Sequence, residues 1–91
     1  MIRSCRDKET EKLFRGISSR KFKTIERAAQ KKLRILHAAG TLSDLAFPSL
    51  RLEKLSGDRK GSYSIRINDQ YRICFDWRLD GAHGVEIVDY H

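Results

Sequence analysis

A chain of 91 residues, 40% of them hydrophobic, can build one modest core and is too short for two. Its 19 Lys and Arg against 12 acidic residues leave a net charge of +7 and a pI near 9.8, which favours polyanionic partners, nucleic acid first. Cys5 and Cys74 lack CxxC spacing and a nearby His cluster, no apolar run approaches membrane-helix length, and the start has no signal-peptide hydrophobic region. These features argue against a zinc site, a redox motif and a membrane anchor, and they fit a reduced, cytoplasmic protein without a cofactor.

In chain order, residues 2–5 suit a short first strand, and residues 8–15 a short helix with Leu13 and Phe14 on its apolar edge and Gly16 as its stop. The Ser-Ser-Arg-Lys composition of residues 18–22 predicts a mobile, protease-sensitive link. From 23 to 39, Ile25, Ala28, Ala29, Leu33, Leu36 and Ala39 recur at helical intervals, closed by Gly40; Thr24 followed by Arg27 rather than Glu is a weak capping signal. Residues 41–50, with Leu42, Leu45, Phe47 and Pro48, read as a partly packed connection.

Beyond it the hydrophobic period becomes two. Residues 51–55 suit a further strand leading to a turn at Ser56-Gly57-Asp58-Arg59. Tyr63, Ile65 and Ile67 then alternate with polar neighbours, Asn68-Asp69-Gln70 turns the chain, and Tyr71, Ile73, Phe75 and Trp77 alternate with Arg72, Cys74 and Asp76. Asp80-Gly81 and Gly84 mark a second turn before a last strand beginning at Val85. Helices first and strands second predict an α+β domain spanning 1–91, with N-terminal helices packed on a small twisted antiparallel sheet.

The charge is uneven: residues 1–60 carry 16 basic and 7 acidic groups, and residues 61–91 carry 3 and 5. Arg20, Lys23, Arg27, Lys31 and Arg34 fall on one polar stripe at helical spacing, with Lys21 and Lys32 beside it. Such a stripe is either a solvated helix face or a phosphate-binding surface, and charge alone does not decide between them.

The chemically richest segment is Asp89-Tyr90-His91, a carboxylate, a phenol and an imidazole following Val85-Glu86-Ile87-Val88. A strand there would hold the trio in place. Arg72 points away from the apolar side of its own strand, so a neighbouring last strand would bring it to this trio on one surface. An Arg72 buried against the apolar core would count against that site. Each group has an ordinary alternative: Tyr90 as packing, Asp89 as a cap or ion-pair partner, Arg72 as a cross-strand ion pair. His37 and His83 read as solvated side chains, whereas an α-carboxylate beside the His91 imidazole would favour its protonated, proton-donating form.

Taken together, the run from Leu52 through Gly57-Asp58-Arg59 to Arg66, then Tyr71-Arg72-Ile73-Cys74-Phe75, then Val85 to His91 resembles the HigB branch of the RelE/ParE toxin superfamily. The resemblance covers roughly the last 40 residues by motif and the helical half by pattern only. It implies a RelE-like fold acting as a ribosome-dependent mRNA endonuclease in a toxin–antitoxin pair. Cleavage in such toxins is metal-independent: a 2′-hydroxyl attacks the adjacent phosphate, the 5′-oxygen leaves, and a cyclic phosphate results.

Carried over by position, the resemblance assigns Arg72 to charge stabilisation on the phosphorane and His91 to proton transfer. Tyr90 would stack on a base or orient the 2′-hydroxyl, and Asp89 would act as base or orient the imidazole; these two roles are interchangeable. Some relatives have histidine where this chain has Glu53. A carboxylate there can accept the 2′-hydroxyl proton but repels phosphate unless Lys54 or Arg72 offsets it. Lys54 is also a candidate phosphate contact, and the stripe of Arg20, Lys23, Arg27, Lys31, Lys32 and Arg34 would dock on ribosomal RNA. The implied partners are the ribosome, mRNA and a helix-turn-helix antitoxin, with operator DNA contacted only through the toxin–antitoxin complex. Two other classes stay open: a ParE-like inhibitor of DNA gyrase, against which the terminal trio argues, and a non-catalytic RNA-binding module.

Overall fold

A computed structural model describes residues 1–55 and 61–90 of the chain. The expected Gly-Asp-Arg turn and His91 lie outside the described residues.

Helix α1, Lys8–Phe14, begins where the Asp7 carboxylate accepts the Thr10 N–H at 3.0 Å, and Glu9 and Glu11 in its first turn complement the helix dipole. Its stop is the predicted one. Gly16 adopts φ +80°, its N–H reaches the Leu13 carbonyl at 3.0 Å, and the Ile17 N–H reaches the Lys12 carbonyl at 2.8 Å. These paired bonds satisfy the last carbonyls and need a residue that tolerates the left-handed region.

The predicted 23–39 helix divides into a 3-10 turn, Lys23–Ile25, and helix α2, Glu26–Ala38. In agreement with the weak capping signal, no side chain among the described residues caps α2. Ala29, Leu33 and Leu36 form its buried side. Burying one such leucine contributes about 1.5–3 kcal/mol, so the stripe rather than end chemistry holds α2 down.

Residues 18–22 differ from expectation. Ser19 is buried and Phe22 belongs to the core. Glu26 accepts both the Ser18 hydroxyl at 2.7 Å and the Ser19 N–H at 3.1 Å, while Glu9 accepts the Ser19 hydroxyl at 2.7 Å. The polar composition that suggested mobility is what the two glutamates bind. Downstream, 3-10 turns at Leu42–Leu45 and Pro48–Leu50 place Leu45 and Leu50 in the core and leave Phe47 exposed, as a partly packed connection should.

Among the described residues the sheet has four antiparallel strands in chain order: β1 (Glu53–Lys54), β2 (Ser62–Arg66), β3 (Tyr71–Arg78) and β4 (Gly81–Asp89). The first is shorter than expected. The last is longer, because Gly84 lies inside β4 beside a register shift rather than in a turn. Ile65, Ile73 and Ile87 align across β2, β3 and β4 and meet the helices. The predicted first strand is realised as two parallel bridges, Ile2 to Ala82 and Cys5 to Val85, along β4. Here Gly81 is indispensable: it sits at φ +129°, and a Cβ there would lie 2.1 Å from the Met1 carbonyl oxygen. The outcome is an α+β fold with two helices against one side of an antiparallel sheet.

Candidate active site

Because side chains alternate along a strand, fixing Ile73 toward the helices turns Arg72 and Cys74 to the opposite side. Arg72 pairs in register with Arg66 on β2 and Val88 on β4. Glu53, Ser64, Cys74 and Glu86 form the adjoining row across all four strands. One side of the sheet is therefore apolar and helix-covered, and the other carries polar groups.

Arg72 is only 6% exposed, a burial that weighs against the site as expected from the sequence, and the groups bonded to its guanidinium are polar. Its Nε donates to Ser64 Oγ at 2.8 Å, and its Nη2 donates to the carbonyls of Arg51 at 2.5 Å and Ser64 at 3.2 Å. A buried cation is tolerable only with such partners. Among the described residues, Nη1 has the carboxylate of Glu53 at 4.0 Å, and the Tyr90 ring centroid lies 5.6 Å from the Arg72 Cζ. Glu53 is half exposed at the limit of ion pairing, so this contact contributes little to stability and leaves the carboxylate accessible. The result is a guanidinium fixed on two edges by neutral acceptors, with a carboxylate and a half-exposed phenol beside it. That arrangement can receive a phosphate on a preorganised cation, with a proton acceptor at hand.

Two partners of Arg72 were not singled out from the sequence. Ser64 is fully buried and shares the Arg72 side of the sheet, which its alternation with Tyr63 and Ile65 could have signalled. Arg51 adopts φ 45° and ψ 54°, an uncommon left-handed conformation for a residue with a Cβ, and this turns its carbonyl onto Arg72. Nothing in the local sequence announces it.

The other candidates are distributed differently. Asp89 aligns with Tyr71, which meets Phe22 on the helix side, so alternation separates it from Arg72; the Gln70 side-chain amide donates to Asp89 Oδ2 at 3.1 Å. Lys54 aligns with Tyr63 and faces away from Glu53 and Arg72, so among the described residues the charge offset comes from Arg72. Arg20, Lys23, Arg27, Lys31 and Arg34 are all exposed, and Lys32 is partly buried. In α2, Arg27, Lys31 and Arg34 lie opposite the side carrying Ala29, Leu33 and Leu36, which puts the sheet between them and Arg72, whereas Lys32 flanks the buried side and Arg20 and Lys23 precede the helix, so the expected stripe is helical only from Arg27 on.

His37 and His83 have structural partners. His37 Nδ1 accepts the Ile2 N–H at 3.0 Å, and His83 Nε2 lies 2.6 Å from Asp80 Oδ1. Burial, with Glu11 and Asp7 adding to it, pushes the Cys5 thiol up to about 11, which keeps it protonated and poorly nucleophilic at neutral pH. Among the described residues, no three His, Cys, Asp or Glu side chains gather as a metal cluster, and no helix is long and apolar enough to cross a membrane.

Comparison with known proteins gives the arrangement a family context. The model of RelE-like toxins of the type II toxin–antitoxin system HigB matches residues 3–91. Toxin HigB-1 of Vibrio cholerae serotype O1 is 44% identical over 84 residues, which cover 91% of this chain and 83% of that protein. A family match across nearly the whole chain and this degree of identity agree: the chain belongs to the HigB-like family of RelE-like toxins of type II toxin–antitoxin systems.

Proposed function

We propose that residues 1–91 form one toxin domain that cleaves mRNA on the ribosome and so stops translation. The observation carrying this reading is the Arg72 guanidinium, held by Ser64 and the Arg51 carbonyl beside Glu53 and Tyr90. Phosphorane formation adds negative charge to the scissile phosphate, and a cation already fixed where that charge appears requires little reorganisation as the reaction proceeds.

In the proposed reaction Glu53 takes the 2′-hydroxyl proton as the O2′–P bond forms. Arg72 stabilises the phosphorane, His91 protonates the departing 5′-oxygen as the P–O5′ bond breaks, and a 2′,3′-cyclic phosphate remains. The electrons and protons balance without a metal or redox partner. Tyr90 orients the 2′-hydroxyl or stacks on a base, and Asp89, separated from Arg72, acts through the imidazole rather than as the base. Glu53 repels phosphate less with Arg72 4.0 Å away than it would alone.

The exposed stripe of Arg20, Lys23, Arg27, Lys31 and Arg34, with Lys32 beside it and Lys54 on the sheet edge, is the proposed contact with ribosomal RNA. The cognate antitoxin is proposed to be a helix-turn-helix protein that brings the pair to operator DNA, and the site of action the cytoplasm.

Primer extension on translated mRNA tests the reading, with wild type, Arg72→Ala and a version lacking His91. Ribosome-dependent cuts lost in both variants are expected. Toxicity without cuts, unchanged in the variants, would contradict the nuclease reading and favour a binding module. Inhibition of gyrase supercoiling in a parallel assay would point to ParE-like action.

A further inference from the structure

Tyr90 lies just beyond the end of β4, yet its ring is placed over Arg72. The ladder itself ends with Asp89 aligned to Tyr71, so something past that pair must hold the ring there. Two contacts come from one residue. The Gln70 carbonyl accepts the Tyr90 N–H at 2.6 Å, and the Gln70 side-chain amide donates to Asp89 Oδ2 at 3.1 Å.

Gln70 is itself fixed. Asn68 Oδ1 accepts the N–H groups of Gln70 at 2.8 Å and Tyr71 at 2.7 Å, and the Ile67 N–H reaches the Tyr71 carbonyl at 2.9 Å. An Asn side chain satisfying two successive N–H groups imposes the turn conformation without help from the surrounding core. Arg66 and Asp69 add an ion pair across the same turn. The β2–β3 turn is therefore a preformed buckle, and its free side-chain arm ends on a carboxylate.

We propose that Gln70 is a positioning residue for RNA cleavage: it clips Asp89 and Tyr90 together so that the phenol stays over Arg72 and the Asp89 carboxylate keeps one orientation. This rests on the endonuclease reading. Gln70 touches no reacting atom and acts through the two residues it holds. The amide donor is essential to the role, because a carboxylate in its place would face Asp89 with like charge and lose the bond unless one of the two held a proton.

The test uses full-length Gln70→Leu, which keeps bulk and removes the donor, and Gln70→Glu, which makes the donor depend on pH. Two quantities are followed: hydrogen exchange of the Tyr90 amide, and single-turnover cleavage of ribosome-bound mRNA alongside ribosome affinity. In Gln70→Leu the Tyr90 amide should exchange at least about tenfold faster while Ile73 and Ile87 amides keep their protection. Its cleavage rate should fall by about 10- to 100-fold with affinity unchanged, the scale expected of small misplacements. Gln70→Glu should gain an ionisation absent from the wild-type pH profile, with cleavage recovering as acid restores the donor.

Wild-type exchange at Tyr90 in Gln70→Leu would overturn the proposal. So would wild-type cleavage in Gln70→Leu when the wild-type protein cuts. Faster Tyr90 exchange in a protein whose wild type makes no cuts would instead uphold the clip and reject the endonuclease reading.

Discussion

The two sides of the sheet follow opposite rules. On the helix side, Ile65, Ile73, Ile87, Phe75, Leu33 and Leu36 are interchangeable in kind: what matters is apolar volume at the correct period. On the other side, Arg72 has specific partners, Ser64 Oγ and the Arg51 and Ser64 carbonyls, each reached at a stated atom. Loss of volume on the first side should change how much protein is folded. Loss of a donor on the second should change what the folded protein does.

The largest expected effect separates these rules most sharply. Arg72→Ala should lower the cleavage rate by at least about 100-fold, the scale of removing one preorganised charge stabiliser. Folding stability should fall as well, by about 1–3 kcal/mol, because Arg72 is buried and the alanine leaves the Ser64 hydroxyl and the Arg51 and Ser64 carbonyls without their donor, so the rate is compared per folded molecule; denaturant unfolding beside a cleavage assay measures both. Leu33→Ala should cost stability alone. Leu33 is fully buried, so stability should fall by about 2–5 kcal/mol while the rate per folded molecule is kept.

Replacing Arg27, Lys31 and Arg34 together by glutamine should affect neither quantity much at low salt. Ribosome affinity should weaken instead, and the salt dependence of binding should become shallower, as expected when phosphate contacts are lost. A filter-binding series over ionic strength measures this slope, and an unchanged slope would mark the stripe as a solvated surface.

Acid should loosen the segment between the two helices. The Ser18 hydroxyl and Ser19 N–H hold Glu26 below the ordinary glutamate value of 4.5, and the Ser19 hydroxyl, with Lys12, does the same for Glu9. A depressed carboxylate contributes stability that is present above its unfolded value and is lost as pH falls through its folded value. Residues 18–22 should therefore resist an acid-active protease near pH 5 and become cleavable as the pH drops below 4.5, with Glu26→Gln weakening the protection already at the higher pH.

The smallest effect is expected at Arg51. Glycine accepts φ 45° without a Cβ clash, so Arg51→Gly should gain up to about 1 kcal/mol in stability from relieved strain, less the extra freedom of the unfolded chain. Thermal unfolding measures it. A marked loss would mean that the arginine side chain, rather than its carbonyl alone, holds the turn.

The comparison also explains what the sequence disclosed. Period and punctuation gave α1 with its Gly16 stop, the buried stripe of α2, the β2–β3 hairpin and the side on which Arg72 lies, because each is a local pattern repeated within a few residues. What escaped depends on partners far along the chain. Ser19 looked mobile until Glu9 and Glu26 were placed against it, and Gly84 looked like a turn until the N-terminal segment and β3 flanked β4. At the site, Arg72 was legible by alternation and by resemblance. Ser64, the left-handed Arg51 and the Gln70 clip were not, since their roles arise from bonds spanning 8, 21 and 19 positions.

The most direct measurement is the single-turnover cleavage rate of ribosome-bound mRNA by Arg72→Lys, compared with wild type at equal folded concentration. Lysine keeps the charge but cannot bond Ser64 and the Arg51 carbonyl along two edges while offering a third to phosphate. If the fixed guanidinium is what stabilises the phosphorane, the rate falls by at least about tenfold with ribosome affinity retained. Cleavage at the wild-type rate would contradict the account, because any cation on that side of the sheet would then suffice.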